Sequence, residues 1–215
     1  MKTRLFPVVI ACLLLAQSNA LSQSQSNPLP RYEVAAEFSS VGRDSFGGTR
    51  SEPGAGGRFT FNLNEIFALE GAAYIYPHEC FSCPENGVMS EAVAGVKIGK
   101  RFNSWGVFGK ARPGLVSFSK GKTNVTVTDP TLPSFDVKQD SLTSFATDVG
   151  AVLEFYPSPR IVTRFDAGDT IVFFRRQRQD VVIFDPAGRP QTFPITRPAR
   201  TDHHFQFNAS VGFRF

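Results

Sequence analysis

His203-His204-Phe205-Gln206-Phe207-Asn208-Ala209-Ser210-Val211-Gly212-Phe213-Arg214-Phe215 is the stretch from which the rest of the chain can be read. Phe205, Phe207, Ala209, Val211, Phe213 and Phe215 alternate with His204, Gln206, Asn208, Ser210, Gly212 and Arg214. A period of two sustained that far makes a β-strand with one apolar and one polar or small face; a helix would repeat near 3.6. Water penalises so long an apolar face on a closing strand, whereas a lipid-facing sheet requires one.

Seven further segments carry the same period. Near 31–39, Tyr32, Val34, Ala36 and Phe38 oppose Glu33 and Glu37; near 55–63, Phe59, Phe61 and Leu63 oppose Arg58, Thr60 and Asn62. Near 67–76, Phe67, Leu69, Ala73 and Ile75 oppose Glu70, Tyr74 and Tyr76; near 90–102, Ala92, Ala94, Val96 and Ile98 oppose Glu91, Lys97 and Arg101. The segment near 105–118 sets Val107, Ala111 and Leu115 against Lys110 and Arg112, and Pro113 within it predicts a bulge or bend. Near 143–156, Phe145, Val149, Ala151, Leu153 and Phe155 oppose Asp148 and Glu154; near 160–174, Ile161, Thr163, Phe165 and Ala167 oppose Arg164, Asp166 and Thr170. With 22 Phe and 18 Gly against 2 Met, the composition favours strands.

The connections sort by length. Short ones lie around Asn64 and Glu65, at Asn103-Ser104 and at Pro157-Ser158-Pro159; long ones cover about 40–54, 77–88, 119–142 and 176–202. This alternation predicts an all-β fold, an eight-stranded antiparallel up-and-down transmembrane β-barrel with tight turns at one end and four long loops at the other. A β-sandwich has no reason to sort its loops so. Trp105, Phe102, Tyr156 and Phe215 fall at the tight-turn ends, where an interfacial aromatic girdle is expected. Tyr74 and Tyr76 lie near a loop end and share the parity of Glu70, so they belong either to a second girdle or to the interior.

Residues 1–20 read as a signal peptide. Lys2 and Arg4 precede an apolar run, and Gln17-Ser18-Asn19-Ala20 places small residues at a cleavage site. The apolar run is too short for a membrane helix, which needs about 20 residues. Residues 21–30 form a polar, proline-containing tail, and residues 31–215 form the barrel domain. Outside the leader, acidic and basic residues nearly balance, which together with an external surface argues against nucleic-acid binding.

Phe207-Asn208-Ala209-Ser210-Val211-Gly212-Phe213-Arg214-Phe215, Phe108-Gly109-Lys110-Ala111-Arg112-Pro113-Gly114 and Arg164-Phe165-Asp166-Ala167-Gly168-Asp169-Thr170 resemble segments of the small bacterial outer-membrane β-barrel family of OmpA/OmpX type. The resemblance covers nearly all of 21–215. It implies location in a Gram-negative-type outer membrane and a monomeric barrel with a packed, largely non-conducting lumen. It also implies recognition of the last strand, with Phe213 and Phe215 as the assembly signal, by the barrel-assembly machinery.

The polar faces collect equal numbers of acids and bases. The acids are Glu33, Glu37, Glu70, Glu91, Asp148, Glu154 and Asp166; the bases are Arg58, Lys97, Arg101, Lys110, Arg112, Arg164 and Arg214. Eight strands enclose a space that side chains largely fill, so these charges must pair. They form either a salt-bridged plug, the favoured reading, or a narrow selective conduit.

Cys80 and Cys83, in an external loop of an exported chain, are expected as a disulfide. A zinc site would need four ligands, and only His78 and Glu79 are near, so no metal or other cofactor is expected. Arg175, Arg176, Arg178, Arg189, Arg197 and Arg200 either bind phosphates of outer-membrane lipid such as lipopolysaccharide or line an ordinary solvated loop. A lipid-A-modifying enzyme would need a His-Ser-acid set. His204 and Ser210 share a strand face about 20 Å apart, too far for proton transfer, so no catalytic residues are assigned. A soluble, lipocalin-like barrel would instead turn the apolar faces inward. The function expected is structural or surface-interactive.

Overall fold

A computed structural model describes residues 29–45, 48–77, 87–125, 135–139, 141–184 and 189–215. Eight long strands close into an antiparallel barrel: β1 (Tyr32–Ser45), β2 (Gly48–Asn62), β3 (Phe67–Tyr76), β4 (Met89–Arg101), β5 (Trp105–Phe118), β8 (Leu142–Ser158), β9 (Ile161–Phe174) and β12 (Arg200–Arg214). Each pairs with its neighbours in sequence order, and β12 returns to β1. That seam is in register from Glu33↔Arg214 to Val41↔Gln206. Two backbone hydrogen bonds between Tyr32 and Phe215, 3.0 and 2.9 Å, extend it by one residue. Closure leaves the barrel without an unpaired edge.

The faces fall as the alternation requires. Phe38, Phe59, Ile75, Phe145, Phe205 and Phe213 point outward and are exposed, while Glu33, Arg58, Glu70, Lys97, Asp148 and Arg164 point inward and are buried. This excludes the inverted, soluble arrangement for these strands. A one-residue slip anywhere would exchange the two sets, which is what fixes the register.

Glycine settles how close the inner walls come. Gly150 and Gly168 face each other across β8 and β9. A Cβ on Gly150 would lie 2.4 Å from the Ala167 carbonyl oxygen, and one on Gly168 would lie 2.3 Å from that of Val149. No side chain fits there.

The tight turns lie at the end that also carries Tyr32 and Phe215. Asn64 shapes the first, its Oδ1 accepting from the backbone N–H of Ile66 at 2.8 Å and Phe67 at 2.7 Å. At this end Phe102 stacks on Trp105 with centroids 4.2 Å apart, and Tyr32 stacks on Phe61 and Phe215. Tyr156, expected in that girdle, is instead buried inside. Tyr74 and Tyr76 also face inward.

The far end departs from the expectation of four long loops. β1 and β2 stay paired up to Ser45↔Gly48, so the connection expected over 40–54 is mostly a prolonged hairpin. Its outward residues there, Ser40 and Ser51, bond to each other at 2.6 Å. Without apolar alternation the sequence gives no strand signal, yet backbone pairing continues. The two longest connections hold strands of their own: β6 (Gly121–Val125) with β7 (Phe135–Gln139), and β10 (Gln177–Phe184) with β11 (Pro190–Arg197). These hairpins join through Val182↔Asp136 and Ile183↔Phe135 into one four-stranded sheet in the order β11-β10-β7-β6. Pro113 makes no bulge. The β5 register is unchanged across it on both sides, and the β4 ladder merely lacks pairs at Ala94 and Gly95. Proline has no N–H to donate there, and the missing bond is the whole effect.

Candidate functional site

The lumen is built in layers, each position supplied by the inward parity of one strand. At the tight-turn end, Arg214 lies over the Tyr156 ring at 4.3 Å. Tyr156 donates to Glu154 at 2.8 Å and accepts from Arg101 Nε at 3.1 Å. Arg101 also reaches Asn62 at 2.6 Å and Glu33 at 3.6 Å.

Glu70 is the hub of the next layer. It accepts from Arg164 through both carboxylate oxygens, and Arg58 and Lys97 stand 3.5 Å away and Arg112 3.7 Å. Lys97 also pairs with Glu154, and Arg58 with Glu37 at 2.8 Å. Arg164 chelates Asp166 through Nε and Nη2. Lys110 bridges Asp148 at 3.0 Å and Asp166 at 3.4 Å, and Arg112 holds Asp148.

Charges drawn from seven of the eight strands therefore interlock, and β12 adds Arg214 below and Ser210 at 3.4 Å from Arg58. The structure brings all the inward charges expected from the sequence to the interior, and Glu91 joins them through neutral partners. Gln206 donates to Glu91 at 3.1 Å, to Tyr76 at 2.6 Å and to Ser39 at 3.2 Å, and accepts from Thr170 at 3.0 Å. Tyr74 donates to Glu37 while its ring covers Gly56, where a Cβ would meet it at 2.4 Å. Burial of this much charge is tolerable only with dense pairing of this kind.

Toward the loop end the lumen turns apolar. Val41, Met89, Val116, Phe118, Val172 and Phe174 form a layer that nothing in the alternation distinguished, because both faces of these strand ends are apolar or mixed. Arg43 caps it, 5.2 Å over Phe118 and 2.8 Å from Glu52, while Arg200 stacks on Phe174 at 4.4 Å and pairs with Asp202 at 2.9 Å. The apolar group is interleaved with buried polar side chains, Val41 standing opposite Gln206 and Glu52 and Val116 opposite Glu91 and Ser144, so the interior is an ionic plug that passes into a mixed one. Two shallow cavities, about 720 and 280 Å³, open on the outer wall over Gly57, Gly71 and Ala73 and beside Ile75 and Pro77.

Of the loop arginines, Arg175, Arg176 and Arg178 are exposed, whereas Arg200 is committed to Phe174 and Asp202. His204 and Ser210 both face inward and are buried, so they offer no chemistry to the outer face. Phe213 and Phe215 stack 6.2 Å apart on the outside of the seam. Residues 1–20, expected as a signal peptide, and Cys80, Cys83, His78 and Glu79 lie outside the described residues.

No family model matches the sequence, and no curated protein is significantly similar to it. Solved structures do match. The crystal structure of Neisserial surface protein A aligns at 13% identity with a TM-score of 0.50, covering 86% of this chain and 97% of that one. That of the outer membrane protein OprG from Pseudomonas aeruginosa aligns at 11% identity with a TM-score of 0.54, covering 86% and 96%. At such identities the likeness is one of fold: this chain folds as the small eight-stranded outer-membrane barrels do.

Proposed function

We propose that this chain is an outer-membrane protein whose barrel is a closed, non-conducting scaffold holding the β6–β7 and β10–β11 sheet outside the cell. The observation that carries the reading is the double plug: interlocked ion pairs around Glu70 and Arg164, roofed by Met89, Phe118 and Phe174. A conduit needs open space along the axis, and these buried, mutually packed side chains fill it. The apolar outer face suits lipid on all sides, which fits a monomer inserted by the barrel-assembly machinery through its last strand. The projecting sheet is where a surface partner would be met. His204 and Ser210, the pair weighed for a lipid-modifying reaction, both face inward and cannot reach a lipid. The test is conductance of the purified protein in planar bilayers. No steady large conductance is expected; reproducible nanosiemens-scale steps would replace the plug with a channel.

A further inference from the structure

The outer wall carries one feature that a purely apolar belt does not need. From Thr143 to Phe155 on β8, along β9, and from Phe205 on β12, the outward positions are apolar or threonine, with the exception of Asp169. Its Oδ2 lies 2.5 Å from His203 Nδ1, and the imidazole is 65% exposed on the same outward face. Phe205 stands directly opposite Asp169, Ile171 directly opposite His203, and Val149 across the β8 seam.

Depth places the pair. Asp169 is eight residues above Ile161, about 27 Å along the strand and about 20 Å along the axis of a barrel tilted near 40°. An apolar band is about 25 Å tall, so Asp169 lies just below its outer edge and His203 at that edge. Above them come Thr201, exposed opposite Phe173, and then Arg175 and Arg176, exposed beyond the end of β9. Neither arginine forms a salt bridge among the described residues.

We infer that this strip, His203 with Thr201, Arg175 and Arg176, binds the phosphorylated headgroup of an outer-leaflet lipid. Asp169 engages Nδ1 and so leaves Nε2 as the ring nitrogen facing the lipid. In the imidazolium form Nε2–H donates to a phosphate oxygen, while the carboxylate charge is already matched. The arginines, one headgroup further out, supply the forks that phosphate accepts. A zwitterionic headgroup would bring its ammonium against this basic rim, and an uncharged one would leave it unpaired. The inference rests on the outer-membrane reading, with the β9–β12 loop end outward.

The test uses the purified protein in phosphatidylcholine nanodiscs doped with diphosphoryl lipid A or its dephosphorylated form, with retained lipid read by native mass spectrometry. Heat-dependent gel mobility of each sample reports the barrel separately from the site. Wild type is expected to retain the phosphorylated lipid about tenfold better, the scale of one charge-assisted hydrogen bond. H203F and R175S/R176S should each lose most of that preference, and R160S, at the opposite end, should keep it. D169N/H203Q replaces H203F should the latter fail to fold. Equal retention of both lipids by wild type, retention unchanged in the folded variants, an equal loss in R160S, or displacement by inorganic phosphate would each overturn the inference.

Discussion

Replacing Glu70 by Gln removes one charge from the most connected carboxylate in the lumen and changes little else in shape. Arg164 loses a bidentate partner. Arg58 and Lys97 at 3.5 Å and Arg112 at 3.7 Å lose their common counter-ion, leaving cations crowded in a space closed to water. Thr60, which donates to Glu70 at 3.2 Å, retains an acceptor in the amide oxygen. Removing one partner of a buried ion pair costs about 3–5 kcal/mol, because the remaining charge is still desolvated. The assay is equilibrium urea unfolding from lipid vesicles. It is followed by the single tryptophan, Trp105, which faces outward at the tight-turn end and changes environment when the barrel leaves the bilayer. The midpoint should fall at unchanged slope. Adding R164M to E70Q should cost less than the two changes separately, with a coupling above about 1 kcal/mol. An E70Q protein within about 0.5 kcal/mol of wild type would instead show that water or rearranged pairs serve these cations as well as Glu70 does.

Three further outcomes are expected. G150V puts a side chain against the Ala167 carbonyl and should destabilise by more than about 3 kcal/mol, whereas G71A, whose Cβ meets nothing within 4 Å, should fold within about 0.5 kcal/mol of wild type; urea midpoints of the two decide it. Alkylation of unreduced protein followed by mass spectrometry should find Cys80 and Cys83 blocked as a disulfide, and two modified thiols would reverse that assignment. Phe215 joins the seam through two backbone hydrogen bonds and stacks on Tyr32 at 5.7 Å, so its deletion should lower the fraction of folded protein in the outer membrane several-fold; unchanged assembly in membrane fractions would remove its assembly role.

Most of the barrel was legible because a two-residue period dictates which side chains meet lipid and which meet one another. Phe205 to Phe215 needed no tertiary information, whereas Tyr74 and Tyr76, open between a girdle and the interior in sequence, are placed inside only by the structure. The pattern fails where that constraint lapses. Ser40 to Pro53 carries no apolar alternation, yet main-chain pairing prolongs β1 and β2 through it. The hairpins β6–β7 and β10–β11 depend on each other across long separations in sequence, which no local period encodes. Tyr156 has the composition of a girdle residue, and only its parity with Glu154 shows that it turns inward. The pairing partners inside the lumen were equally hidden: alternation says that Glu70 and Arg164 point inward, but the register of eight strands decides that they meet. The His203–Asp169 pair is hidden in sequence for the same reason, because 34 residues separate the two until β9 and β12 set them side by side.

The whole arrangement depends on apolar faces that meet lipid and charges that meet one another. Gel mobility of detergent-refolded protein with and without boiling, alongside circular dichroism, tests it most directly. A β-rich protein that migrates differently before and after boiling is expected. A protein that folds unaided in plain buffer and shows no such shift would contradict it, because its apolar faces would then have to lie inside.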